Sequence, residues 1–327
     1  MNDVRASKAL TRRELLRGGA FLAGAAVLTP VVPAWARPFG FQQAEPADPL
    51  AKIRAQMGSA PIERVTLTDA LTMLSGPGGN VVVLHGPDGK IVVDSFVQPA
   101  WGPLKQVLDG MGGGRISALV DTHWHFDHAD NNANFRKAGA AVVAHENTRK
   151  RLTQTHELLG MKIPAAPADA LPTETFKDRH TLTANGEQVV LGYIQPAHTD
   201  TDIYIRFSKG NVLHLGDVFF NGMYPFIDAG TGGNIDGMIA GADAALKMAD
   251  GSTKIIPGHG PVADKAALGK SRDMLVTVRD RVQKLKSDGR KLEEVVAAKP
   301  TADLDATWGK GFMGPEMFVS LVYNLVR

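Results

Sequence analysis

Seven residues of this chain have the types and spacings that hold metal ions. Four fall within six positions, His123-Trp124-His125-Phe126-Asp127-His128, directly after Ile116-Ser-Ala-Leu-Val120, which reads as a fully buried strand. Residues two apart on an extended chain point the same way, so His123 and His125 can share one ion. Where the chain turns out of the strand, Asp127 and His128 can face a second. Three further candidates sit where other apolar segments run out: His198 in Pro196-Ala-His-Thr, Asp217 in Leu215-Gly-Asp and His259 in Pro257-Gly-His-Gly-Pro261. Each has Gly, Pro or Ala beside it, so little side-chain bulk blocks an ion. The chain contains no Cys, which excludes thiolate zinc fingers, disulfide scaffolds and Cys nucleophiles, and leaves nitrogen and oxygen as the only metal donors. Such a donor set favours zinc, and iron or manganese would also fit. The other five histidines, His85, His145, His156, His180 and His214, lack this clustering and read as structural.

The elements that must position these residues follow from pattern. Residues 65–74, 80–85 and 90–94 read as strands of an antiparallel meander turned at Gly76-Pro-Gly-Gly and Gly86-Pro-Asp-Gly. A helix is expected over 101–110, then the strand 116–120, a helix near 131–138, a strand at 140–144 and a helix over 148–159. Residues 164–172, rich in Pro and Ala, read as a loop draped over the surface near the site. Strands near 188–193, 203–207 and 212–215 form a second meander, and Lys254-Ile-Ile-Pro257 is a strand leading to His259. Leu268, Leu275, Val278, Val282 and Leu285 mark one face of a long helix, with shorter helices at 291–298 and 314–327. Sheets with helices outside them make an α/β sandwich in one domain.

The 327 residues carry 36 Lys plus Arg against 34 Asp plus Glu. Five of the basic groups (Arg5, Lys8, Arg12, Arg13, Arg17) and two of the acidic ones (Asp3, Glu14) fall in residues 1–36, so the remainder holds 31 against 32, a net charge of −1. That balance offers no general attraction for nucleic acid or an anionic membrane. Residues 1–36 run from this basic stretch through apolar Gly18–Leu28 to Ala34-Trp-Ala36, the layout of a signal peptide cleaved after Ala36. Thr11-Arg-Arg-Glu-Leu-Leu-Arg17 is similar to a twin-arginine signal, which places the mature chain in the periplasm or outside the cell. The apolar run is too short for a stable membrane anchor, which needs roughly 20 residues. The organisation expected is a signal peptide over 1–36, an N-terminal extension over 37–59 and one catalytic domain with C-terminal helices over 60–327.

In order and rough spacing, His123-x-His125-x-Asp127-His128 followed by His198, Asp217 and His259 resembles the metallo-β-lactamase superfamily across nearly all of residues 60–285. The resemblance implies an αββα sandwich of two pseudo-symmetric halves, with the metals in a cleft at the sheet edges. It implies two Zn2+ per chain, the first on His123, His125 and His198, the second on Asp127, His128 and His259, with Asp217 bridging. Asp94 matches the family's non-ligand aspartate beneath the site. The reaction implied is zinc-dependent hydrolysis of a carbonyl bond (β-lactam, lactone, ester or thioester) by a metal-bridging hydroxide, with Asp127 orienting that hydroxide and carrying its proton. One β-lactamase subclass has Cys where this chain has Asp217 and a substrate-binding Lys where it has Phe220. Asp217 instead resembles the superfamily's hydroxyacylglutathione hydrolases, lactonases and phosphodiesterases. Residues 219–225 make an apolar, aromatic rim suited to a small neutral substrate, with Phe220, Asn221 and Tyr224 as substrate contacts. A phosphodiesterase or nuclease is the alternative, set back by the absence of a basic tract near the motifs. Iron-dependent oxygen or sulfur chemistry on the same fold is another. Replacing Arg12 and Arg13 together by Lys should retain the precursor inside the cell, checked by fractionation and immunoblotting; normal export of the double variant would overturn the signal assignment.

Overall fold

The computed structural model describes residues 48–327. The signal peptide expected over 1–36 and the first part of the 37–59 extension lie outside them. The last part of that extension forms α1 (Pro49–Gly58), started by Asp48, whose carboxylate accepts from the Leu50 N–H, and by Pro in its first turn. β1 (Glu63–Thr66), β2 (Leu71–Gly76), β3 (Gly78–Gly86) and β4 (Gly89–Val93) form an antiparallel meander. The single strand expected over 65–74 is therefore two, because the Thr68 hydroxyl accepts from the Ala70 and Leu71 N–H groups and turns the chain.

Helix α2 (Trp101–Asp109) crosses to β5 (Ile116–Val120), parallel to β4. Then come α3 (Phe126–Ala129), α4 (Asn132–Lys137), β6 (Ala141–His145) and α5 (Glu146–Leu152). The helix expected over 148–159 stops at Leu152; beyond it β7 (His156–Leu158) and β8 (Met161–Ile163) pair as a hairpin, turned at Leu159 and Gly160 with φ of 51° and 75°. β9 (Glu174–Phe176), β10 (Arg179–Ala184), β11 (Glu187–Tyr193), β12 (Ile203–Phe207) and β13 (Val212–His214) follow. α6 (Ile235–Met248), which the sequence pattern did not disclose, precedes β14 (Lys254–Ile256). The chain closes with α7 (Lys265–Ser287), α8 (Leu292–Ala297), α9 (Asp305–Trp308) and α10 (Pro315–Leu325). Among the described residues no helix is long and apolar enough to cross a membrane.

Seven strands, ordered β1-β2-β3-β4-β5-β6-β9, make one sheet, and five, β10-β11-β12-β13-β14, the other. The two-residue alternation of strands creates the layers. Val82, Leu84, Ile91, Val93 and Val120 meet Val189, Leu191, Ile203, Ile205 and Phe207 between the sheets. Their neighbours Val81, Val83, Val92 and Leu119 face outward onto Leu104 and Leu108 of α2 and Phe135 of α4. On the opposite side Leu213 and Ile255 face Ala242 and Ala245 of α6 and Leu268 of α7. The result is the αββα sandwich implied by the sequence.

One junction ties this core to the functional motif. After β4 the chain takes left-handed backbone at two non-glycine residues, Asp94 and Phe96, with φ of 62° and 60°, an uncommon conformation that needs support. Asn131 supplies it: its side-chain amide donates to the carbonyls of Ser95 at 2.7 Å and Val97 at 3.0 Å, and more distantly to Phe96 at 3.3 Å. The Ser95 hydroxyl in turn donates to the His128 carbonyl at 2.8 Å. Asn131→Ala would leave the Ser95 and Phe96 carbonyls without a donor, while Val97 keeps the Ala100 N–H, a loss of about 1–3 kcal/mol. Urea unfolding should show a lower midpoint at unchanged slope; an unchanged midpoint would refute this role.

Candidate metal centre

The site forms where β5, β13 and β14 end. Past Val120 the chain departs from the extended course the spacing predicts, bending over Thr122–Trp124; His123 and His125 still reach one donor group, and α3 then turns Asp127 and His128 inward. His198 arrives on the turn between β11 and β12, pinned by Asp202, whose carboxylate accepts from the His198 and Thr199 N–H groups at 2.8 and 2.9 Å. Asp217 follows β13 on a single helical turn, Gly216–Val218. His259 follows β14 and is held by a bridge between its backbone and that of Phe220.

These seven side chains converge in two overlapping groups. His123, His125, His198 and Asp217 form one, and Asp127, His128 and His259 the other, with the donor atoms of each group within 4.8 Å of one another. Asp217 lies between them. Its Oδ2 is 3.5 Å from His198 Nε2 and 3.9 Å from His123 Nε2, and also 3.6 Å from His259 Nε2, while its Oδ1 is 3.3 Å from His128 Nε2. Asp127 Oδ2 lies 3.2 Å from His259 Nε2 and 3.6 Å from His128 Nε2. Buried His123 Nε2, His128 Nε2 and Asp217 Oδ1 carry no hydrogen bond, a costly state for polar atoms unless another partner occupies the space they face. Unpaired donors of nitrogen and oxygen alone, aimed inward together, fit divalent metal.

The remaining ring nitrogens are held from behind. Asp94 takes His128 Nδ1 at 2.7 Å and also accepts from the Thr122 N–H and hydroxyl, both at 2.8 Å; that hydroxyl lies 3.0 Å from His123 Nδ1. His198 Nδ1 donates to the Phe226 carbonyl at 2.9 Å. Asp228 accepts from His125 Nε2 at 3.2 Å and from the Thr231 hydroxyl. His125 therefore presents Nδ1 to the site, 2.9 Å from His198 Nε2, whereas the other imidazoles present Nε2. Such outer partners fix tautomer and ring orientation. Space is reserved too: a Cβ at Gly79 would enter the His128 ring, and one at Gly258 the Asp217 carboxylate.

The electrostatics are those of a cation site. Burial pushes the Asp127 carboxyl up, but the charges of His128 and His259 outweigh it and hold it at about 2. Burial likewise disfavours the His259 imidazolium, yet Asp217 and Asp127 raise it to about 9. His198 goes the other way, lowered to about 4, chiefly by burial. Burial lowers His123 as well; the carboxylates thus favour positive charge at the Asp127 side, while His123 and His198 are kept neutral and free to donate lone pairs.

Of the substrate contacts expected, Phe220 is buried with its ring stacked on His259, centroids 5.2 Å apart. Asn221 donates its side-chain amide to the Pro261 carbonyl and braces the His259 loop. Tyr224 corrects the sequence reading: it is fully buried, stacked on Phe318, and its hydroxyl donates to Asp305 at 2.8 Å, so it is not presented to a substrate. The loop at 164–172 includes a short helical turn and walls a cavity of about 440 Å³ with Trp124 and Phe126. The five remaining histidines lie outside both donor groups. His214 still serves the site, since its Nδ1 accepts from the Gly216 N–H at the turn that carries Asp217. Sequence reasoning missed Asp228 and Phe226, which lie in no motif.

A family model described as the metallo-beta-lactamase superfamily matches residues 74–263. Among solved structures, a metallo-beta-lactamase from Pontibacter korlensis aligns with a TM-score of 0.56 at 15% identity, covering 66% of this chain and 99% of its own. DIM-1 metallo-beta-lactamase aligns at 0.55 and 19% identity, covering 67% and 99%. The stereoselective inverting sec-alkylsulfatase Pisa1 from Pseudomonas sp. aligns at 0.60 and 16% identity over 80% of this chain, which spans about half, 50%, of that enzyme. At these identities the likeness is one of fold. A search of curated protein sequences finds no match. Asp228→Ala should weaken metal binding at the His123, His125 and His198 group by about 10- to 100-fold, the usual effect of losing such a partner, read by chelator competition; parental affinity would contradict the role.

Proposed function

The chain belongs to the metallo-beta-lactamase superfamily, and from that premise we propose that it is a zinc-dependent hydrolase that cleaves a carbonyl bond in a small molecule, a β-lactam, lactone, ester or thioester. The observation that carries the reading is the position of Asp217, with oxygens 3.3 to 3.9 Å from imidazoles of both donor groups. We assign His123, His125 and His198 to one ion, Asp127, His128 and His259 to a second, and Asp217 to both. Two divalent ions held there would acidify water to a pKa of about 7 and polarise the oxygen of the bond under attack.

The protein's own groups supply orientation and proton transfer. Asp127 is ionised, and its side chain is 14% exposed, so it reaches the cleft. It is placed to accept a hydrogen bond from the attacking water, set its direction, and then pass the proton to the departing N, O or S. An ion held by three imidazoles would draw electron density from the oxygen under attack, and the proton returned by Asp127 would neutralise the departing N, O or S. The sequence of residues 1–36 supports export to the periplasm or beyond.

The test uses a chromogenic lactam, a lactone and a thioester, with metal content measured for every preparation. Chelation should abolish turnover and added zinc restore it. Asp127→Asn should lower turnover by about 10²- to 10⁴-fold, the range for a positioned acid–base group, with metal retained; Asp217→Asn should lose occupancy at both positions together. Full metal content and full rate in Asp217→Asn would overturn the dinuclear reading.

A further inference from the structure

Resting on the hydrolase reading, we propose that the site selects substrates whose acyl portion is apolar and uncharged, and that Phe226 is the residue that reads it. Phe226 lies on the flank of the three-histidine group, its ring centroid 6.1 Å from that of His125 and 5.9 Å from that of His198. It is only partly buried and packs at the edge of an apolar cluster of Leu50, Trp124, Leu158 and Ile163. Phe220 closes the other flank, 6.1 Å from His198 and stacked on His259. His198 therefore sits between two aromatic rings, of which Phe220 is buried and Phe226 is partly exposed.

Charge points the same way. The charges acting most strongly on the donor residues are those of one another, Asp94 and Asp228. Three cations line the cavity beside Trp124 and Phe126, Arg54, Arg151 and Lys137, the last pairing with Asp169 at 3.7 Å. Arg54, which lies 5.5 Å over the Phe126 ring, and Arg151 are each engaged by two hydrogen bonds, to Asp130 and Asp200 respectively. A carboxylate or sulfate on the acyl side would lose its hydration against phenyl rings without gaining a cationic partner, a strongly unfavourable exchange. A methylene placed there gains up to about fourfold in kcat/KM, the ceiling for full burial.

Phe226 also acts through its backbone, since its carbonyl holds His198 Nδ1. The side-chain role must therefore be read as a slope against chain length rather than as a loss of rate. Metal-loaded protein should be assayed on p-nitrophenyl acetate, butyrate and hexanoate, and on the hydrogen adipate, which matches hexanoate but ends in a carboxylate. We expect kcat/KM to rise from acetate to hexanoate and to fall at least tenfold from hexanoate to adipate. Phe226→Ala should flatten the chain-length slope and Phe226→Leu restore most of it, at equal metal content. Hydrolysis in which adipate equals or exceeds hexanoate, or a slope unchanged in Phe226→Ala, overturns the inference while leaving the hydrolase reading intact. Failure of the metal-loaded protein to cleave any ester, lactone, lactam or thioester overturns that reading and the inference with it.

Discussion

Burying the Asp217 carboxylate among four imidazoles is the constraint on which the rest of the structure depends. Its side chain is 6% exposed, and the rings around it keep it ionised against the cost of burial. Three of those rings, His123, His128 and His198, are turned so that one nitrogen faces the carboxylate and the other meets a partner behind. Buried polar groups in so little water tolerate no loose ends. Asp94, Thr122 and the Phe226 carbonyl are those partners for His128, His123 and His198, and Asp228 does the same for His125 beside them.

The fold meets it in turn by bringing strand ends together. β5 and β13 belong to different sheets, yet the Ile203 N–H donates to the Thr122 carbonyl and the Asn80 N–H to the Gly258 carbonyl, tying the two sheet edges across the site. The apolar alternation that glues the sheets face to face therefore also fixes the distance between the donor groups. The left-handed turn at Asp94 and Phe96 belongs to the same arrangement, because it carries the Asp94 carboxylate beneath both Thr122 and His128. Strain at that turn is repaid by Asn131 rather than by glycine.

Much of this was legible in the sequence because it is local. A buried strand running into His123-x-His125-x-Asp127-His128 says where the donors are, while the bend over Thr122–Trp124 that aims them is not written in their spacing. The layered architecture follows from strand alternation and outer helices. What the sequence hid depends on distance or on weak patterns. Asp228 meets His125 across 103 residues, and nothing in Phe226-Ile-Asp-Ala marks that partnership. Tyr224 looks like a rim residue until Asp305, 81 residues on, and Phe318, further still, claim its hydroxyl and its face. α6 carries Gly237 and Gly241 inside it, which weakens a helix reading, although Ile235, Met238, Ile239 and Ala242 recur at helical spacing behind the Asn234 cap that accepts from Gly237. The 148–159 stretch has helical composition, but Leu159-Gly160 takes a tight left-handed turn and the chain folds back on itself.

The central claim is that seven side chains hold two metal ions with Asp217 between them. Anomalous diffraction from crystals of the protein purified with its native metal, recorded on both sides of the zinc edge, tests it most directly. The account predicts two peaks per chain, one within bonding distance of His123, His125 and His198, the other of Asp127, His128 and His259, with an oxygen of Asp217 reaching both. A single peak, or peaks away from Asp217, would contradict it.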